Sequence, residues 1–217
     1  MGRTDAAGSG GARTRIQAEN RARLISAALA VFSRAGYEGA TVDALAEAAG
    51  MSKPNLLYYF SSKEALYRAA LDSLLEHWLE PLEAIDPDGE PLDEIGRYVT
   101  RKLAMSAEDP AASRLFANEI MRGAPVLGEV LAGPLRALVD EKAAVIAVWA
   151  ADGRIACEEP RHLIFAIWAT TQHYADFDAQ VRAVLGDGDG QARFEAAGRM
   201  LSGLFLRGLT PGADTSS

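Results

Sequence analysis

Apolar residues recur along the chain at intervals of three and four, the spacing that gives a helix one buried face. Between about Arg15 and Ala35 these positions are Ile25, Ala28, Leu29 and Phe32. The same interval returns in the later segments, and no stretch alternates apolar and polar residues as a half-buried strand would. The pattern therefore predicts an all-α protein of about nine helices.

The stretch TVDALAEAAGMSKPNLLYYFSSKEAL, which begins at Thr41, contains closely spaced signals for the start and end of helices. Thr41 is suited to cap a first short helix, and Gly50 follows its last periodic residue as a C-terminal stop. Ser52 is a second N-cap, and Ser61 and Glu64 spell a capping box for a third helix. Two short helices around a glycine-containing turn are the skeleton of a helix-turn-helix.

The second of these helices has the chemistry of a segment that lies in a DNA major groove. Hydroxyl, ammonium and amide groups at a helix N-terminus can bind phosphates and base edges, and tyrosines can reach phosphates or thymine methyl groups. An alternative is that the helix only completes a small core through Leu56 and Phe60. Both interpretations hold if those two side chains face inward. The residues suited to DNA are Ser52, Lys53, Asn55, Tyr58 and Tyr59.

Charge is distributed unevenly, which matters more than the formal net charge of −8. Residues 1–70 contain nine Lys or Arg against six Asp or Glu, whereas the rest of the chain contains thirteen against twenty-four. A basic end on an acidic body is typical of a protein that meets a polyanion at one end only. Ordinary scatter of surface charge is the alternative, and the coincidence with the helix-turn-helix disfavours it.

The same stretch resembles the TetR family of bacterial regulators, whose usual run is S-K-x-x-L-Y-x-Y-F followed by S-K-E-A-L. This sequence departs from the run at Leu57, where many members have a tyrosine, so Leu57 is not expected to contact DNA. The resemblance implies a three-helix DNA-binding domain, joined by a fourth helix to an all-helical ligand-binding and dimerisation domain. The predicted DNA contacts are Thr41, Ser52, Lys53, Asn55, Tyr58, Tyr59 and Lys63.

The domain limits follow from these signals. Residues 1–14 are mostly small and Gly-rich, and we expect a disordered arm there. Residues 15–61 are expected to form the helix-turn-helix domain. Residues 62–210 are expected to form the helical ligand-binding and dimerisation domain, with 62–82 as its connecting helix.

The phrase HLIFAIWATTQHYADF, which begins at His162, is the second informative stretch. Trp168 and Gln172 lie four residues apart and thus on one helix face, with His173 and Tyr174 in the same turns. An amide beside an indole in an apolar bundle suggests a pocket for a flat molecule that forms hydrogen bonds. The alternative is that these polar groups are satisfied within the core or an interface.

Phrases spread over nearly the whole chain are similar to those of a pyrimidine-responsive TetR repressor. They are LLYYFSSKEALY, WLEPL, ASRLF, GAP, ALVDEK and HLIFAIWATTQHYADF. The resemblance implies uracil or thymine as the effector, because a side-chain amide can meet the imide edge of such a ring and an indole can stack on its face. The predicted ligand-binding residues are Trp78, Trp168, Gln172, His173 and Tyr174.

The last two predicted helices, at about 160–184 and 191–209, carry broad apolar faces for segments near a chain end. Such a surface needs a partner, and in the TetR family the last two helices form the dimer interface. Packing of both faces within one protomer is the alternative. The predicted interface residues are Leu163, Ile167, Leu201, Leu204 and Phe205.

No feature of the sequence points to catalysis, a metal or a cofactor. The three histidines are scattered, and the single cysteine, Cys157, has no partner for a disulfide or a zinc site. We find no nucleophile elbow or phosphate loop. Without such motifs, we expect that the protein is not an enzyme. No run of about 18 apolar residues occurs, so we expect it to be soluble and cytoplasmic.

These observations predict a ligand-responsive transcriptional repressor. We expect a homodimer that binds an inverted-repeat operator and is released by a small molecule. Two alternatives stay open: the same kind of regulator with a different effector, and a DNA-binding protein without an effector.

Overall fold

The computed structural model of the chain describes residues 8–212, with side chains from Thr14 onward. Every regular element in this range is helical, which confirms the all-α prediction. A π-helical turn at Leu131–Leu135 separates α7 from α8. The helices are α1 (Gly8–Gly39), α2 (Val42–Ala48), α3 (Lys53–Tyr59), α4 (Lys63–Glu83), α5 (Pro91–Glu108), α6 (Pro110–Met121), α7 (Gly128–Val130), α8 (Arg136–Ala151), α9 (Pro160–Asp176), α10 (Asp178–Leu185) and α11 (Gly190–Leu209).

The chain divides into two compact units between Leu74 and Leu75, and helix α4 contains residues of both. In the first unit, local signals set the helix ends. Gly36 interrupts α1 with a φ of 68°, and Gly50, with a φ of 63°, follows α2. Both values lie in the left-handed region that glycine adopts without a steric penalty. The side chain of Thr41 caps α2 and accepts a hydrogen bond from the Ala44 amide at 3.2 Å.

The core of the first unit is built from apolar faces of α1 to α4. Leu56 of α3 and Phe60, which directly follows α3, are both buried, which confirms that these two side chains face inward. Phe32, Tyr37 and Tyr67 form a group of three rings, in which the Phe32 and Tyr67 centroids are 4.9 Å apart in an edge-on arrangement. The rings therefore link the end of α1 to α4.

The second unit has α5 and α9 at its centre. Helix α5 packs against α9 and α11, and α9 also packs against α6 and α8. Its core includes fully buried residues from four of these helices: Ile95, Ile146, Ile164 and Ile167 are 0% exposed, and Leu201 is 3% exposed. Within residues 8–212, no helix is long and apolar enough to cross a membrane.

Some element boundaries differ from the sequence-based expectations. The expected helix at 160–184 is interrupted at Phe177, whose φ and ψ of −111° and 31° are not helical. The segment from Leu131 to Ala151 begins with the π-helical turn, where Pro134 lacks the N–H that a regular α-helix needs. Ser62, rather than Ser61, caps α4, because its Oγ accepts from the Ala65 amide at 3.0 Å.

The start of α1 also differs from the expected boundary. It begins at Gly8 rather than near Arg15, since a formed helix adds further residues at little cost. The part of the expected disordered arm at residues 1–7 lies outside the described residues.

Candidate DNA-binding surface and ligand cavity

The N-terminal turn of α3 presents polar groups to solvent. The Ser52 Oγ accepts a hydrogen bond from the Asn55 amide at 3.4 Å and so caps the helix. The Lys53 ammonium lies 3.0 Å from an Asp43 carboxylate oxygen, with both side chains at least half exposed. An exposed ion pair is worth only about 0–1 kcal/mol, so a DNA phosphate could compete for Lys53. The side chain of Asn55 is exposed and available to a base edge.

The two tyrosines of α3 differ in their surroundings. Tyr58 is 71% exposed, and its hydroxyl accepts a long hydrogen bond of 3.4 Å from Gln17. The hydroxyl of Tyr59 is partly buried and accepts from Asn20 at 3.0 Å. Sequence reasoning missed both α1 partners, although their spacing of three residues places them on one helix face. Tyr58 is the more accessible of the two tyrosines.

Lys63 makes its contacts inside the first unit. Its ammonium donates to the carbonyl oxygens of Tyr37 at 2.9 Å and Ala40 at 3.1 Å, and it lies 4.3 Å from the centre of the Tyr37 ring. These bonds tie the first turn of α4 to the end of α1. Thr41 likewise uses its hydroxyl to cap α2. Each of these two side chains therefore has a structural role within the first unit. That Lys63 and Thr41 also contact DNA stays a prediction.

A cavity of about 520 Å³ lies in the second unit between α6, the π-helical turn and α9. Trp168, Gln172 and Asp176 line it from α9, where their spacing of four places them on one helix face. Leu131 and Leu135, also four residues apart, line it from the π-helical turn. The α6 wall consists of Arg114, Phe116, Ala117, Asn118, Ile120 and Met121. The walls are therefore largely apolar, with a few polar groups among them.

The polar groups of this cavity are unequally satisfied. The Asp176 carboxylate accepts a short hydrogen bond from the Ser113 hydroxyl, and the Arg114 guanidinium donates to the Ala175 carbonyl at 3.0 Å. Burial raises the pKa of Asp176, and the Ser113 hydrogen bond and the nearby Arg114 charge partly oppose that rise. Among residues 14–212, no group forms a hydrogen bond with the side-chain amide of Gln172. That amide is thus available to a bound molecule.

The indole of Trp168 forms a hydrogen bond with a residue that does not line the cavity. Its indole Nε1–H donates a short hydrogen bond to the hydroxyl of Tyr98 on α5. Burial raises the pKa of Tyr98 above its ordinary value of 10.0, so the phenol stays protonated well above neutral pH. The indole is therefore held in place by a buried partner.

The other predicted ligand residues do not line this cavity. Trp78 is buried and packs against Phe116, a cavity residue, with 6.0 Å between the ring centroids. His173 stacks on Phe177, and Tyr174 packs towards Phe194 in the core. None of the α6 residues was among the predicted ligand-binding residues, because no local pattern pairs α6 with α9. It also missed Asp176, which the spacing from Trp168 and Gln172 could have indicated.

The predicted interface residues fall into two groups. Ile167, Leu201 and Phe205 are buried within the protomer, and Leu163 is partly buried against the same core. Leu204 is 50% exposed. Other large apolar residues on α9 and α11 are also exposed, namely Phe165 at 49% and Met200 at 56%. Within the described residues, no group of His, Cys, Asp and Glu is arranged to hold a metal ion.

Two family models match the chain, one over most of the first unit and the other over most of the second. Residues 24–70 match the model for bacterial regulatory proteins of the TetR family, and residues 71–212 match the model for the C-terminal region of YcdC-like proteins. The chain is similar to the HTH-type transcriptional regulator RutR of Escherichia coli (strain K12). The two are 51% identical over 176 residues, which cover 81% of this chain and 83% of RutR.

Solved structures share the fold. A TetR-like transcriptional regulator from Rhodococcus sp. RHA1 aligns with a TM-score of 0.63 and 23% identity, covering 87% of this chain and 94% of that chain. A TetR-family regulator from Pectobacterium atrosepticum aligns with a TM-score of 0.60 and 25% identity, covering 90% and 96%. The helix-turn-helix, the helical second unit and these relatives show that the chain belongs to the TetR family of DNA-binding transcriptional regulators.

Proposed function

We propose that this regulator is a repressor that leaves its operator when a free pyrimidine base, uracil or thymine, binds the second unit. The observation that carries the proposal is the row of Trp168, Gln172 and Asp176 along one wall of the cavity. It combines a stacking surface, an amide without a protein partner and a carboxylate. The phrases in the sequence that resemble those of a pyrimidine-responsive TetR repressor, which include this row, support the same effector class.

The hydrogen-bonding groups of a pyrimidine base suit this wall. A uracil ring carries an imide N–H between two carbonyl oxygens. The Gln172 amide can both donate and accept, so it can pair with that edge, and the Arg114 guanidinium can donate to a carbonyl. The Asp176 carboxylate can accept a hydrogen bond from a ring N–H of the base. Burying an unpaired amide costs about 1–3 kcal/mol, so a ligand that pairs with Gln172 gains affinity over an apolar molecule of the same shape.

DNA recognition is proposed to use a homodimer. Each protomer presents one α3, and two copies related by a twofold axis read an inverted repeat. Leu204, Met200 and Phe165 are the exposed apolar residues of α9 and α11 that support a dimer face. The buried residues Leu201 and Phe205 would then support this face from beneath.

The proposed route from cavity to DNA passes through α4. Phe116 lines the cavity and contacts Trp78, which lies on α4. The same helix begins at Lys63, directly after the helix-turn-helix. An effector that displaces Phe116 would therefore move α4 and change the spacing of the two recognition helices. It can shift that equilibrium only by its difference in affinity for the two arrangements, typically 1–3 kcal/mol.

A larger effector is the second candidate. The cavity volume of about 520 Å³ is well above that of one pyrimidine ring and falls within the range of about 300–1,000 Å³ found for small-molecule sites. A pyrimidine nucleoside would present the same imide edge and fill more of this space. The Asp176 carboxylate would repel the phosphate of a nucleotide.

The test is release from an operator selected from a random-sequence DNA library. Fluorescence anisotropy of the labelled operator is followed while uracil, thymine, cytosine, uridine and adenine are added separately. We expect release by uracil and thymine and none by adenine. Release by uridine alone would favour the larger effector, and release by no compound would contradict the pyrimidine assignment.

A further inference from the structure

Lys102 is a buried ammonium on α5 without an acidic partner. The residue is 3% exposed, and among the described residues no carboxylate oxygen lies within 4.0 Å of its ammonium. A buried charge of this kind is unfavourable unless other groups compensate for its lost hydration. The contacts of Lys102 are therefore informative.

Both contacts of the ammonium are with Trp78. The Lys102 Nζ donates to the backbone carbonyl of Trp78 at 3.2 Å and lies 4.5 Å from the centre of the indole ring. A cation above an indole face gains about 0.5–2 kcal/mol, and the upper value applies where water is excluded. The indole packs against Phe116 as well, so Trp78 contacts both Lys102 and a residue of the cavity wall.

The helix that carries Trp78 has a weak point nearby. Pro81 lies inside α4 and has no N–H, so the carbonyl of His77 lacks its usual helical partner. Helices bend most readily where such a bond is missing. Lys102 therefore holds α4 at the residue next to the place where it can bend.

We propose that Lys102 is a positioning residue, whose charged ammonium holds Trp78 and thereby makes α4 respond to occupancy of the cavity. The link to an effector rests on the proposed function, whereas the hydrogen bond and the cation–π contact between Lys102 and Trp78 are independent of it. Without the ammonium, Phe116 could move without displacing α4, because Trp78 would be free to adjust by itself.

The hold depends on the charge of Lys102. Burial lowers the pKa of Lys102 to about 8, because the ammonium loses its hydration. On the two helices that carry Trp78 and Lys102, the His77 imidazole lies 3.6 Å from a Glu80 carboxylate oxygen, and the Arg101 guanidinium lies 3.0 Å from a Glu108 carboxylate oxygen. Lys102 should thus lose its proton, and its cation–π contact, as the pH rises through about 8.

The experiment measures how strongly uracil and operator oppose each other. Calorimetric titration gives the uracil dissociation constant for the free protein and for the operator complex, and their ratio is the coupling factor. At pH 7 the wild type is expected to show a factor of roughly 5–150, which should fall towards 1 at pH 9. Lys102→Met should show a factor near 1 at both pH values. Lys102→Arg, which stays charged, should show the same factor at both.

Lys142→Met is the matched control. Lys142 is also buried and its ammonium donates to a backbone carbonyl, that of Ile85 at 3.3 Å; unlike Lys102, it has a carboxylate oxygen, of Glu141, at 3.2 Å, and neither contact involves a tryptophan or a cavity residue. It should behave as the wild type, and it reports any effect of pH on uracil or DNA. A wild-type coupling factor in Lys102→Met at both pH values would overturn the proposal.

A second readout separates this proposal from the proposed function. If uracil and thymine do not release the wild type, the proposed function fails, and tryptophan fluorescence without ligand then decides the role of Lys102. We expect the tryptophan emission of the wild type and of Lys142→Met to change near pH 8. The emission of Lys102→Met and of Trp78→Phe should show no such change. If the emission of the wild type does not change near pH 8, the proposal that charged Lys102 positions Trp78 is wrong.

Discussion

Replacing Lys102 by Met should remove a pH-dependent cost of folding. Burial lowers the pKa of Lys102 from 10.5 to about 8. Between these pH values the unfolded chain keeps a proton that the folded chain has released, so the unfolding free energy of the wild type rises with pH. The cost is fully present below about pH 8 and is gone above 10.5. A shift of this size corresponds to about 3 kcal/mol.

The measurement is urea denaturation followed by circular dichroism at several pH values from 7 to 10.5. Protein concentration is held constant, because dimerisation contributes to stability. The stability advantage of Lys102→Met over the wild type should shrink by about 3 kcal/mol across the window. Burial raises the pKa of Cys157 and of Tyr98, but both proteins share these effects and they cancel in the difference. Lys142→Met should retain the wild-type rise.

A constant difference between Lys102→Met and the wild type would refute this reasoning. It would mean that Lys102 keeps its ordinary affinity for protons when folded. The ammonium would then have to be hydrated or paired, contrary to its contacts with Trp78 alone.

Three further predictions concern other surfaces. Asn55→Ala should relax the sequence preference of operator binding, whereas Lys53→Ala should weaken binding to all sequences and reduce the salt slope by about one unit; binding to selected and scrambled DNA at several salt concentrations distinguishes the two. Leu204→Glu should yield monomers in sedimentation and weaken operator binding, while Val148→Glu, at an exposed position on α8, should leave the dimer intact; a dimeric Leu204→Glu would contradict the interface. Effector affinity should fall as the pH drops through the raised pKa of Asp176, because the protonated carboxyl is a poorer acceptor, and Asp176→Asn should lack this dependence in calorimetric titration.

The helix-turn-helix was predictable because its signals are local. Thr41 and Ser52 cap helices through hydrogen bonds to amides three residues later, and Gly50 adopts the backbone angle that ends α2. Such signals depend only on neighbouring residues. The same reasoning could not foresee that Lys63 bonds the carbonyls of Tyr37 and Ala40, since that contact depends on how α1 and α4 pack.

The cavity was predictable only on its α9 side. Trp168 and Gln172 share a face because of their spacing, whereas Arg114 and Asn118 reach the cavity from α6 through tertiary packing. The apolar faces of α9 and α11 were visible in the sequence. Their spacing does not say which part faces the protomer's own core, and Ile167 is fully buried there.

The measurement that tests the central claim most directly is base-driven release from the selected operator by three proteins side by side. Wild type, Gln172→Leu and Gln180→Leu are each bound to labelled operator and titrated with uracil and with thymine. Gln180 is an exposed residue of α10 outside the cavity, so its replacement controls for the loss of a glutamine. We predict release of the wild type and Gln180→Leu, and retention of Gln172→Leu with unchanged operator affinity. Equal release of all three proteins, or release of none, would contradict a pyrimidine site built around Gln172.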